Sequence, residues 1–196
     1  MAANQALLVV DVQNDFCPGG TLAVPQGDTV IPVINRYLRF FNDKELPIFV
    51  SRDWHPKETK HFKRFGGIWP MHCVQNTPGA NFHATLKLPP EAVILSKGMD
   101  PEQDSYSAFQ AKDEEGRDLK EILEDLQVKH LFVCGLATDY CVKASVLDAI
   151  KNGFQTFLLL DAVKGVNMHP QDSRKAIDEM NKKGAKNITI TDLPEA

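Results

Sequence analysis

The sequence predicts an α/β protein: a single three-layer α/β/α domain over residues 1–196, with a six-stranded, mostly parallel sheet and helices on both faces in a Rossmann-like arrangement. Three observations carry that prediction. Short apolar runs such as Ala6–Val10 are continuous rather than alternating, the pattern of strands buried on both sides. Other segments repeat apolar residues at three- and four-residue spacing, as amphipathic helices do. The two kinds of segment alternate along the chain, as parallel βαβ units require.

The elements follow in order. Ala6–Val10 is the first strand and ends at Asp11. Asn14–Gly20 (NDFCPGG) is turn chemistry, so a loop follows. Ile31, Ile34, Leu38 and Phe41 form one stripe, which predicts a helix from about Thr29 to Asn42. Pro47–Arg52 is the second strand. From Asp53 to Pro90 there is no clear period, and an unstructured connection of that length in a compact domain is usually functional. Ala92–Ser96 is the third strand, closed by Lys97. Leu119–Leu126 is a short helix, and Leu131–Cys134 the fourth strand, broken at Gly135. A helix then runs from Asp139 with Val142, Val146, Leu147 and Ile150 on one face, and Thr138 or Asp139 can cap it. Phe154–Leu160 is the fifth strand, Pro170–Lys183 a helix with Pro170 near its first turn, and Asn187–Thr191 the sixth strand.

Composition narrows the function. A formal charge of −4 without a Lys/Arg block argues against nucleic acid or an anionic membrane as partner. No apolar run is long enough for a bilayer, and the N-terminus lacks the basic start of a signal peptide. Cys17, Cys73, Cys134 and Cys141 form no CxxC pair, so free thiols in a reducing cytoplasm are expected. Neither GxGxxG after the first strand nor GxxxxGK[ST] is present, which removes the main support for dinucleotide or P-loop chemistry.

Three potentially reactive residues fall at predicted strand ends or in the turn after one: Asp11, Lys97 and Cys141. In a parallel sheet these ends share one edge, where ligands of open α/β sheets bind. A carboxylate, an ammonium and a thiol meeting there would suit covalent acyl transfer, the carboxylate taking the thiol proton. Cys141 near a helix start would have its thiol pKa lowered. The plainer readings are a turn-capping Asp, a solvated Lys and a Cys packed as a small hydrophobe. His130 precedes a strand, at the opposite edge, and reads as structural. In the long loop Asp53 and His55 stand two apart, so their side chains point the same way, and His61 and His72 follow. Such a set suits one divalent transition metal ion (zinc first, iron or manganese as alternatives), with Cys73 as a rival ligand. Phe16, Trp69 and Tyr106 offer flat aromatic surface for a pocket wall.

These motifs, taken together, resemble the nicotinamidases of the isochorismatase-like cysteine hydrolase superfamily. The residues carrying the resemblance are VVDVQNDFCPGG (Val9–Gly20), SRDWHP (Ser51–Pro56), His61–Phe62, WPMHC (Trp69–Cys73), Lys97, YSAF (Tyr106–Phe109) and GLATDYCV (Gly135–Val142), in one order along nearly the whole chain. The resemblance implies a catalytic triad of Asp11, Lys97 and Cys141. It implies a metal held by Asp53, His55 and His72, with His61 as a variable fourth ligand. It implies a cis Leu136–Ala137 peptide, an oxyanion hole from the amides of Ala137 and Cys141, and Phe16 and Trp69 around a pyridine ring. The expected reaction is hydrolysis of nicotinamide, and of pyrazinamide, to the acid and ammonia. The small-molecule substrate is the only partner implied; whether the chain forms a homo-oligomer is left open. The acidic stretch Asp100–Asp104 falls near the expected mouth, where it could select among ring amides. Competing readings are a metal-free hydrolase of the same superfamily acting on an enol ether or ureido substrate, a metal-hydroxide hydrolase with a structural Cys141, and a non-enzymatic binding module.

Overall fold

A computed structural model describes residues 4–193; the first three and last three residues of the expected unit lie outside the described residues. Six strands form one sheet: β1 (Gln5–Val10), β2 (Ile48–Asp53), β3 (Val93–Lys97), β4 (His130–Leu136), β5 (Gln155–Lys164) and β6 (Lys186–Ile188). Their spatial order is β3-β2-β1-β4-β5-β6. Every pairing in it is parallel, where the sequence suggested only mostly parallel.

The uninterrupted apolar strands do what their pattern requires, packing on both faces. Ala6, Leu8 and Val10 join one core with Val133, Leu158 and the helices α2 (Leu119–Asp125), α3 (Lys143–Lys151) and α4 (Asp172–Lys183). Leu7 and Val9 point the other way, into a core with Val50, Phe132 and α1 (Ile31–Asp43). On α1 the buried residues are Ile31, Ile34, Tyr37, Leu38 and Phe41, the predicted stripe plus a tyrosine. Tyr37 can be buried because its hydroxyl donates to Asp161 at 2.8 Å.

Several predicted boundaries move. Residues Gly27–Val30 form a tight 3₁₀ turn ahead of α1. The last helix begins at Asp172, not Pro170; Gln171 precedes it in the left-handed region and caps without a side-chain bond. The sixth strand is short, and Ile190–Asp192 turns into a 3₁₀ segment closed by a Thr189–Asp192 capping box. The fifth strand runs longer than its apolar stretch, to Lys164, with a register shift opposite Val133 and Gly135. No helix among the described residues is long and apolar enough to cross a membrane.

Candidate active site

The carboxyl ends of four neighbouring strands supply one residue each, directly or from the turn that follows. Lys97 ends β3 and is in register with Asp53 at the end of β2. Asp11 follows β1 in a left-handed conformation, φ 50°, which an aspartate tolerates better than most residues. Cys141 follows β4. That strand leaves through Gly135, which sits at φ 110° so close to β1 that a Cβ would lie 2.1 Å from the Val10 carbonyl oxygen. The next peptide, Leu136–Ala137, is cis.

Lys97 is the hub. Its buried ammonium lies 2.8 Å from Asp11 Oδ2, contacts Asp53 Oδ1 closely, and reaches Cys141 Sγ at 3.5 Å. Ser51 Oγ donates to Asp11 Oδ1 at 2.7 Å. Asp11 Oδ2, although beside the ammonium, has no aligned hydrogen bond and so keeps a lone pair free. Burial opposes the charge on Lys97, but Asp11 and Asp53 together outweigh it and hold the pKa well above the ordinary lysine value. Burial raises Asp11, with Lys97 pulling it down.

Cys141 departs from expectation in two ways. It does not sit behind a capped helix start: Thr138–Val142 is a single π-turn whose cap, Ala137, makes no side-chain bond. Asp139 turns away to accept from the amides of Val166 and Asn167 at 2.9 and 2.7 Å, tying the turn to the loop after β5. Nor is the thiol pKa lowered. Burial pushes it well above the ordinary thiol range, and Lys97 offsets this only in part. The sulfur thus lies beside an ammonium and near a carboxylate, in surroundings where burial disfavours its charge.

Next to this trio lie Asp53, His55 and His72, with one potential ligand atom from each within 4.8 Å of the others. Asp53 Oδ2 is 3.6 Å from His55 Nε2 and 3.8 Å from His72 Nε2, too long for hydrogen bonds. Neighbouring ligand atoms around a tetrahedral zinc stand about 3.4 Å apart, so the spacing fits a shared ion. The tautomers fit as well. His55 Nδ1 donates to Gly98 O at 3.0 Å and His72 Nδ1 to Pro70 O at 2.8 Å, so each Nε2 lone pair turns inward. Charge points the same way: two buried carboxylates face a single ammonium, and a bound cation would restore balance. Burial opposes ionisation of Asp53, but Lys97 and His55 prevail and hold its carboxyl far below the usual range. Cys73, the rival ligand, is not in the converging group.

The long loop is less irregular than its sequence. His55 and Val74 pair as a parallel bridge, and so do Phe62 and Trp69. Gln13 clamps the base of the group, accepting from Asp53 N and donating to Asp53 O and Ala80 O. Asp15 accepts from the amides of Cys73 and Thr21. Gln13, Asp15 and Ser51 were not singled out in the sequence, although two of them stand two and four residues after Asp11. Gly98, at φ 68°, lets the chain pass the His55 ring, where a Cβ would come within 2.4 Å.

A crevice opens above both groups. Phe16, Trp69 and Tyr106 line it, as do Ala137, Tyr140 and Cys141. Trp69 Nε1 donates to the Tyr106 hydroxyl at 2.9 Å, and Tyr140 meets the indole edge-on. His61 also lines the crevice; its ring centroid is 4.9 Å from that of His55, outside the converging three.

A family model described as the isochorismatase domain matches residues 5–192. The chain belongs to the isochorismatase family. Among other members of this family, it is 41% identical to the nicotinamidase of Escherichia coli (strain K12), over 97% of each chain. Its structure superposes on the crystal structure of the pyrazinamidase of Pyrococcus horikoshii in complex with zinc, with a TM-score of 0.89 and 48% identity over 96% of this chain and 100% of that one. A protein of L. infantum crystallised with nicotinate matches with a TM-score of 0.85 and 31% identity, covering 99% and 96%. The sheet and its helices are thus shared by this chain and those two solved structures.

Proposed function

We propose that this chain is a nicotinamidase, hydrolysing nicotinamide to nicotinate and ammonia through a cysteine thioester, acting also on pyrazinamide, and working in the cytoplasm. One observation carries the reading: Lys97 joins the sulfur of Cys141 and the carboxylate of Asp11 to Asp53, whose second oxygen faces His55 and His72. A nucleophile and a cation site therefore share one buried charge network under an aromatic crevice. The names of the relatives at full-length similarity support the same substrate.

Asp53, His55 and His72 would hold one divalent metal ion, zinc first. Bound there, the ion supplies a Lewis acid that orients a ring nitrogen or a water. Phe16 and Trp69 flank the ring of the substrate. Asp11 Oδ2 takes the proton from Cys141 Sγ, and Lys97 stabilises the thiolate formed. Sulfur attacks the amide carbon. The amides of Ala137 and Cys141 receive the developing oxyanion, one such donor being worth about 10²–10³ in rate. The C–N bond breaks as Asp11 returns the proton to nitrogen, and ammonia leaves. Asp11 then deprotonates a water, whose oxygen attacks the thioester. The C–S bond breaks, nicotinate departs, and the proton on Asp11 returns to sulfur.

Ammonia release from nicotinamide by the zinc-loaded protein tests the reading directly. Steady turnover is expected, and its absence with both nicotinamide and pyrazinamide would overturn the assignment.

A further inference from the structure

Three histidines face the crevice, and each is held through Nδ1. For His55 and His72 the holder is a backbone carbonyl. For His61 it is the carboxylate of Asp104, in close contact through Oδ1. An ionised carboxylate only accepts, so Nδ1 carries a proton, and in the neutral imidazole Nε2 then keeps its lone pair. That Nε2 is buried without a hydrogen-bond partner among the described residues. A buried ring nitrogen with nothing to meet it is uncommon in a folded protein. An electron-pair acceptor in the crevice is what would satisfy it.

We propose that Asp104 is a positioning residue: it fixes His61, the variable fourth ligand that the family resemblance implies, with Nε2 turned inward toward the ion held by Asp53, His55 and His72. The inference rests on the metal site of the reading above. Carboxylate–histidine pairs of this kind orient a ligand and raise its basicity. The burial of the two partners suits the division of labour. The His61 side chain is only 2% exposed, while that of Asp104 is 50% exposed, so the carboxylate braces the ring from the solvent side. The backbone delivers the two together. Lys60 N and Thr59 Oγ1 both donate to Pro101 O, at 2.9 and 3.2 Å, and Lys60 pairs with Glu102. The segments 59–61 and 101–104, distant in sequence, are thereby stitched into one wall. Asp104 thus has a role distinct from the selection of ring amides that its place in an acidic stretch suggests.

The test is zinc affinity, measured by competition with a chromophoric chelator, for the unmodified protein and for Asp104→Ala, Asp104→Asn, His61→Ala and the double variant Asp104→Ala/His61→Ala. Asp104→Ala is expected to weaken zinc by about 10–100-fold. Asp104→Asn, which keeps an acceptor oxygen, falls between it and the unmodified protein. The double variant matches His61→Ala alone, because Asp104 acts only through that ring. With cobalt(II) in place of zinc, the visible bands shift in the same direction in Asp104→Ala and His61→Ala. A folded Asp104→Ala whose zinc affinity changes by less than about twofold overturns the proposal, and so does a double variant in which the two losses multiply. Should Asp104→Ala fail to fold, an Asp104→Asn variant with unchanged affinity and unchanged cobalt bands overturns it equally. The amidase reading fails by a different result, the absence of ammonia release from the zinc-loaded unmodified protein, whatever these affinities show.

Discussion

The trio at the sheet edge and the histidine group beside it share a crevice, but they are held by different means. Asp11, Lys97 and Cys141 come from strand ends or the turn after one, and β-sheet pairing fixes where those strands stop. His55 and His72 come from a loop whose order depends on isolated bridges and on side chains such as Gln13 and Asp15 reaching across to the backbone. Asp53 belongs to both, giving one oxygen to Lys97 and turning the other to the histidines. Charge inside the sheet edge is therefore expected to weigh more on fold stability, and the histidines more on metal binding.

That contrast can be broken or sharpened by substitution, and the largest effect belongs to the nucleophile. Cys141→Ala should lower ammonia release by at least about 10⁴-fold, as removal of a nucleophile does elsewhere, while bound zinc stays near one equivalent by elemental analysis. Near-normal turnover in that variant would instead identify a metal-hydroxide mechanism. Lys97→Met should remove activity and also destabilise the fold by about 3–5 kcal/mol in denaturant titration, because Asp11 and Asp53 are left as buried, uncompensated charges. His72→Ala should behave differently: zinc affinity falls by more than about 100-fold, yet the metal-free protein loses only about 1–3 kcal/mol, the cost of leaving the Pro70 carbonyl unpaired. An equal loss of stability in the Lys97 and His72 variants would erase the distinction between edge and loop. Asp15→Ala should cost about 1–3 kcal/mol by leaving the Cys73 and Thr21 amides unpaired. Smallest of all, Cys134→Ala should cost about 1 kcal/mol and leave ammonia release unchanged. Cys134 is buried like Cys141, but it packs in an apolar core, where its sulfur donates to the Leu8 carbonyl at 3.8 Å.

The same contrast explains what could be read in advance. Strand ends were legible because an apolar run and a following polar residue mark them, so Asp11 and Lys97 could be placed on one edge before any coordinates. Cys141 was legible as a position, but the direction in which its surroundings push the thiol was not. The helix-period pattern after Gly135 hides a π-turn, and the burial that raises the thiol comes from segments remote in sequence. Asp139 looked like a cap because Asp at that place usually is one; the amides of Val166 and Asn167, contributed by a later loop, claim it instead. In the loop, the D-x-H spacing foretold that Asp53 and His55 point together. No local rule says that Asp104 should meet His61, since that pairing depends on how two loops are stitched.

Four adjacent strands each contributing one group has a consequence for assembly. Neighbouring strands lie about 4.8 Å apart, so the ruler that spaces these groups is the hydrogen-bond ladder itself, and Lys97 needs the length of its stem to cross over β2 toward Asp11. The chain has to be synthesised past β4 before the last group arrives, and a fragment ending earlier holds an amine and carboxylates with no sulfur to serve. Regain of turnover during refolding would thus report the docking of β4 against β1, the central pairing of the sheet, more stringently than the return of secondary structure does.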